Sequence, residues 1–122
     1  MLQLGIQEKD GFVREETQNG FAEGNYKLGV KTGKWVLTYP DRIEEGNFQG
    51  KNRIGQWLIH YSKSDFYEAG LYDEKNLKTG EWITFKEQNS EVTIKTTYQR
   101  GVKIKEKKVD QLQISTIQLK KG

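Results

Sequence analysis

Short stretches of alternating apolar and polar residues, separated by turns rich in Gly, Asn and Lys, run along most of the chain. Side chains of an extended strand alternate between two faces, so Gly24 and Tyr26 point one way on one strand. Trp35, Leu37 and Tyr39 share a face on the next, and Gly46, Phe48, Trp57, Ile59 and Tyr61 form the matching set further on. The pattern predicts β-hairpins that gather their large rings on one face.

These sets recur at a regular spacing. Trp35, Trp57 and Trp82 lie 22 and 25 residues apart, each two positions after a glycine: Gly33, Gly55 or Gly80. Tyr39, Tyr61 and Phe85 follow them. Tyr26, Phe48 and Tyr72 stand seven or eight residues before those glycines, and Gly24, Gly46 and Gly70 stand two residues before these rings. The units begin at Glu23, Glu45 and Ala69. A fourth, degraded unit contains Tyr98-Gln99-Arg100-Gly101, with Lys105 in place of the second glycine and no Trp after it.

Each unit reads as one hairpin. A strand carries Gly-x-Tyr, a loop turns the chain, and a second strand carries Gly-x-Trp. The first glycine leaves room for a neighbouring ring to lie flat on the backbone, and the rings are expected to stack from hairpin to hairpin. In the third unit Trp82 and Phe85 are three residues apart, which requires either a bulge near Thr84 or Phe85 on the opposite face.

Gly-x-Tyr, a short loop and Gly-x-Trp-x-x-x-Tyr, repeated about every 23 residues, resembles the MORN repeat. Within that family the chain is similar to the variant Y-x-x-G-x-x-x-G-x-W-x-x-Y of bacterial antitoxin-like proteins and ciliate repeat proteins. The resemblance covers roughly Glu23 to Lys105, about two-thirds of the chain. It implies an all-β fold: tandem hairpins forming one elongated, twisted antiparallel sheet. Such repeats serve as rigid interaction surfaces in unrelated systems, so the resemblance defines the fold more closely than the role.

The whole of residues 1–122 is expected to form one repeat domain. Residues 1–22 make a leading cap or degenerate repeat, 23–44, 45–67 and 68–95 the repeats, and 96–122 a degenerate repeat with a basic cap. In the leading part Leu2, Leu4 and Ile6 alternate with polar residues, and Asp10-Gly11 and Asn19-Gly20 are hairpin-turn signals. Leu112 and Ile114, then Ile117 and Leu119 one residue out of phase, suggest a broken strand at the other end. Terminal repeats are atypical because their outer sides meet water, and an exposed terminal strand is also a site for pairing with another chain.

Composition agrees with a thin core. Hydrophobic residues make up 34% and charged residues 30%, yet the net charge is only +3 and the chain carries 3 Trp, 6 Tyr and 5 Phe. Leu, Ile, Val and Phe form about 24%, above the range of disordered chains. Two alanines against 13 glycines argue against helices. There is no Cys, no membrane-length apolar run, no signal-peptide pattern at the start and no Asn-x-Ser/Thr, so an intracellular protein is expected.

The charge is uneven: residues from Thr97 onwards carry +5 and the rest −2. Arg100, Lys103, Lys105, Lys107 and Lys108 cluster there, and strict alternation displays Lys103, Lys105 and Lys107 on one strand face. That strand is a candidate site for an acidic protein or acidic lipid. Nucleic acid is disfavoured because the aromatics are committed to the core. His60, the single histidine, alternates away from Trp57 and Tyr61 towards the other face. One His without Cys assembles no catalytic triad or metal cluster, so no catalytic, metal or cofactor residue is assigned. Gly29 to Trp35 only faintly echoes a phosphate loop, and it recurs as Gly50 to Trp57, a repeat turn. The carboxylate pairs Glu15-Glu16, Glu44-Glu45 and Asp73-Glu74 are expected on solvated surface near turns.

The expectation is a non-catalytic interaction or assembly module, a small subunit or adaptor of a larger complex. Its binding surface would be the sheet face opposite the rings, the loops or the basic strand. An antitoxin or immunity protein and a peripheral binder of acidic phospholipid are the alternatives. A homo-oligomer through the terminal strands is a further expectation.

Overall fold

The computed structural model describes residues 9–86 and 92–109, and within them nine strands and no helix. In chain order they are β1 (Gly11–Thr17), β2 (Gly20–Lys27), β3 (Val30–Thr38), β4 (Arg42–Gln49), β5 (Asn52–Tyr61), β6 (Phe66–Tyr72), β7 (Lys78–Lys86), β8 (Val92–Gln99) and β9 (Val102–Lys108). Every strand pairs antiparallel with its chain neighbours, so the order in space equals the order in sequence. The expected all-β architecture is borne out as one open sheet.

The Gly-x-Trp glycines create the key irregularity. Across the β2–β3 hairpin Glu23 faces Val36 and Asn25 faces Thr32, so Gly33, Lys34 and Trp35 all stand opposite Gly24. The same three-against-one bulge sets Gly55–Trp57 opposite Gly46 and Gly80–Trp82 opposite Gly70. Each bulge turns at a left-handed glycine, with φ of 67°, 66° and 70°. An extra pair of residues leaves the alternation of faces intact but swings the indole across the partner strand.

There the small glycine receives it. A Cβ on Gly24, Gly46 or Gly70 would lie within 3.0 Å of ring atoms of Trp35, Trp57 or Trp82. The three indoles are almost fully buried, and they are the largest such side chains. Each N–H is bonded back to the partner strand: Trp35 Nε1 donates to Asn25 O at 3.1 Å, Trp57 to Asn47 O at 3.2 Å and Trp82 to Leu71 O at 2.9 Å. A buried indole needs such an acceptor.

Between the indoles stand single rings, all edge-to-face. Tyr26–Trp35, Trp35–Phe48, Phe48–Trp57, Trp57–Tyr72, Tyr72–Trp82 and Trp82–Tyr98 have centroids 5.1 to 6.3 Å apart. Seven rings thus form one stripe along the sheet, with Ala22, Leu37 and Ile59 buried beside it and Val13, Tyr39 and Tyr61 packed against it.

Turns follow local chemistry. Leu28-Gly29 and Arg100-Gly101 both have positive φ at both loop positions, the geometry that matches the twist of a two-residue hairpin. Along this end of the sheet each turn reaches the next: Gly29 N donates to Lys9 O, Gly50 N to Lys31 O and Gly101 N to Lys78 O, at 2.9 to 3.0 Å. The β6–β7 loop is longer, and the Asn76 side chain bridges instead, donating to Lys51 O and accepting from Arg53 N.

Three expectations need correction or resolution. The first hairpin turns at Gln18-Asn19 rather than Asn19-Gly20, since Thr17 pairs with Gly20. Gly20 opens β2 instead, where a Cβ would collide with the Thr38 carbonyl oxygen. The Trp82–Phe85 question resolves with Phe85 on the opposite face, paired with Tyr67, while the local register shift places the extra residue in β8. The expected strands around Leu2, Leu4 and Ile6, and around Leu112, Ile114, Ile117 and Leu119, lie outside the described residues.

The two glycine roles are separable by mutation. Gly46→Ala forces a methyl into the Trp57 ring and should cost about 2–3 kcal/mol by overpacking. Gly55→Ala meets open space but strains a left-handed backbone, a cost of about 1–2 kcal/mol. Urea denaturation of both variants should rank Gly46→Ala as the more damaging; equal midpoints would contradict the ring-on-backbone packing.

Candidate interaction face

The two faces of the sheet differ in how far they satisfy themselves. On the ring face the sequence-defined residues Gly24, Tyr26, Gly33, Trp35, Tyr39, Gly46, Phe48, Gly55, Trp57, Tyr61, Gly70, Tyr72, Gly80 and Trp82 are brought together in the stripe and its bulges. A feature not read from the sequence joins them: a cation two positions before each bulge. Lys31, Arg53 and Lys78 pair across the strand with Tyr26, Phe48 and Tyr72. Each lies over the neighbouring rings, Lys31 at 4.9 Å from both Trp35 and Phe48, Arg53 at 4.6 Å from Trp57 and Tyr72, and Lys78 at 4.6 Å from Trp82. Lys103 pairs with Tyr98 in the fourth unit. The signal was present as Lys31-Thr-Gly, Arg53-Ile-Gly and Lys78-Thr-Gly. It becomes readable only once the bulge sets which strand position faces the rings.

Carboxylates complete this face. Glu44 is only 4% exposed, which overturns its expected place on solvated surface. It pairs with Leu37 and Ile59 in mid-sheet rather than at a turn, and there it accepts from Arg42 Nε at 2.6 Å and Arg53 Nη1 at 2.7 Å. A buried carboxylate needs such partners. Glu68 accepts from Tyr61 Oη at 2.9 Å and lies 3.5 Å from Lys78. Glu15 accepts from Lys9 at 2.7 Å and from Tyr26 Oη at 2.9 Å, and the Lys9 bond holds its carboxyl below the ordinary range. Asp73 stays at a turn, accepting from the Lys75 and Leu77 amides. Among the described residues no buried side-chain polar atom lacks a partner, and no cluster of three or more His, Asp or Glu could hold a metal ion.

The basic strand divides. Lys105 faces Thr97 while Lys103 faces Tyr98, so Ile104 is an extra residue in β9. Strict alternation therefore fails: Lys103 joins the ring face, together with Lys108 opposite Ile94, whereas Lys105 and Lys107 lie on the other. The expectation of three lysines on one face is corrected by this one-residue bulge. Lys103 is further engaged by Glu106 at 2.9 Å, and Arg100 sits in the β8–β9 turn.

The opposite face is largely apolar in its centre. Ile43, His60, Tyr67 and Phe85 form one cross-strand row, and Leu58, Ala69 and Ile83 form the next. His60 stacks on Tyr67 at 4.3 Å with planes 9° apart, and Tyr67 stacks on Phe85 at 5.6 Å. His60 Nε2 lies 3.1 Å from Ser64 O. Ile43, Ile54 and Leu71 are 39%, 41% and 50% exposed, so water reaches apolar surface across β4 to β6. Two shallow hollows indent this face, one over Ala69 between Leu58, Ile83 and Phe85, the other between Ile43, Leu58 and His60.

No family model matches the chain, and no curated protein matches its sequence.

The ring face predicts the alkaline behaviour. Burial first, and nearby carboxylates second, raise the phenols of Tyr61 and Tyr72, the latter to about 12. Tyr26 is raised by burial and by its bond to Glu15. A neutral phenol favoured in the folded state contributes stability fully below pH ~10, lost as pH rises through the folded value. Absorbance at 295 nm, followed with circular dichroism, should show these phenols ionising together with loss of the sheet as pH approaches 12. Ionisation of all six tyrosines near pH 10 with the sheet intact would contradict the burial.

Proposed function

We propose that the chain is a non-catalytic interaction and assembly module of the MORN-like type, which docks through the face opposite its tryptophans. The single observation that carries this reading is the asymmetry of the sheet. One face buries its indoles and pairs its carboxylates with cations, while the other leaves Ile43 exposed and Leu58, Tyr67, Ile83 and Phe85 only half-buried.

The divided basic strand favours this reading over an acidic-lipid surface, because Lys103 and Lys107 face opposite ways. An antitoxin or immunity protein remains one form of the same reading, with the toxin as the bound protein. A subunit of a larger assembly is another.

The test is affinity capture with the tagged chain in extract from its native source. Tyr67→Glu and Ile83→Glu should abolish capture of proteins retained by the parent chain, while Lys103→Glu on the ring face should not. Unchanged melting temperatures would confirm that the variants fold. Capture unaffected by the first two changes would contradict the proposal.

A further inference from the structure

The apolar face is bounded in a way that points to its occupant. One cross-strand row reads Glu45 on β4, Leu58 on β5, Ala69 on β6, Ile83 on β7 and Lys95 on β8. Ala69, the smallest residue of the row, is at its centre. A large aliphatic stands on each side of it, and then a charge, negative on one side and positive on the other; beyond these the row runs on to Val36 on β3 and Lys107 on β9. The parallel row places Tyr67 at the centre, His60 and Phe85 beside it and Ile43 and Val92 beyond.

A surface whose flanks are equal in size and opposite in charge is complementary to itself under a two-fold rotation. With the axis lying along β6, the strand order of a second copy runs backwards over the first. β5 then meets β7 and β4 meets β8. Leu58 of each copy falls over Ile83 of the other, and Glu45 over Lys95, twice by symmetry. We infer that the face opposite the tryptophans joins two copies of this chain, closed at both ends by a Glu45–Lys95 pair. This rests on the reading of that face as an interaction surface and names its partner.

The local charges agree. Glu45 has one carboxylate oxygen 3.5 Å from Lys34, which leaves the other for a second cation. Lys95 is exposed and makes no ion pair within the described residues. A two-fold axis across the strands, the other simple choice, keeps the strand order and leaves both charges without a counterpart. Facing sheets about 10 Å apart bring the side chains of both rows into contact. Five strands at ~4.8 Å spacing make a footprint about 20 Å long, so a weak, concentration-dependent dimer is expected.

Sedimentation equilibrium of the full chain across 1 µM to 1 mM tests this, together with Glu45→Lys, Lys95→Glu and the double swap. The parent chain should pass from monomer to dimer over that range. Each single reversal places like charges together twice and should weaken association at least ~10-fold, while the double swap should restore it. Leu58→Lys should abolish the dimer and leave the melting temperature of the monomer unchanged. A parent chain that is monomeric at 1 mM, or a dimer indifferent to all four variants, would overturn the inference. If the parent is monomeric yet Tyr67→Glu still abolishes capture of another protein, the interaction face stands and only its occupant is wrong.

Discussion

An indole laid on a glycine is the contact on which the rest of this sheet depends. The ring can reach the partner backbone only because Gly24, Gly46 and Gly70 lack a Cβ. It arrives there only because a left-handed glycine two residues earlier opens a bulge. Its N–H then fastens the bulged strand to the carbonyl beside the first glycine. The two glycines, the indole and the carbonyl therefore act as one device, and replacing any one of them leaves the others without their purpose. The fourth unit shows the outcome when the device is missing: Lys105 replaces the bulge glycine, the bulge shrinks to one residue, and every residue of β9 is exposed.

A single-layer sheet can be stable with so little apolar sequence because this device concentrates burial. Three tryptophans with a tyrosine or phenylalanine between each pair give an unbroken run of edge-to-face contacts. Lys31, Arg53 and Lys78 cover the rings with their stems and place charge over the ring faces, in place of a second layer. The carboxylates of Glu15, Glu44 and Glu68 then balance charge on the same face. This covering serves only one side. The other is left with Leu58, Tyr67, Ile83 and Phe85, and that imbalance connects the packing to the proposed role.

Much of this architecture was legible in the sequence because the glycines and rings obey simple steric rules at fixed spacing. The face of each tryptophan followed from alternation, and the two-residue bulge preserved it. Alternation failed where a bulge held one extra residue, at Ile104 and in β8 beside Phe85. That single-residue shift moved Lys103 away from Lys105 and Lys107. Glu44 was misread for a different reason: two adjacent carboxylates looked like a solvated pair, yet strand alternation sends Glu45 outward and Glu44 among Arg42, Arg53 and the rings. The cations before the bulges went unread because their importance depends on cross-strand register. Nothing in the spacing of residues along one chain reveals the self-complementary row from Glu45 to Lys95, which exists only after five strands are aligned.

Hydrogen exchange of the three indole N–H groups, resolved by NMR, tests the central contact most directly. If Trp35, Trp57 and Trp82 are clamped between glycine and carbonyl, their Nε1 protons should exchange only through opening of the sheet, with protection close to that of the slowest backbone amides. Indole protons that exchange within the dead time of the measurement, while the backbone amides of β3 to β7 remain protected, would contradict it.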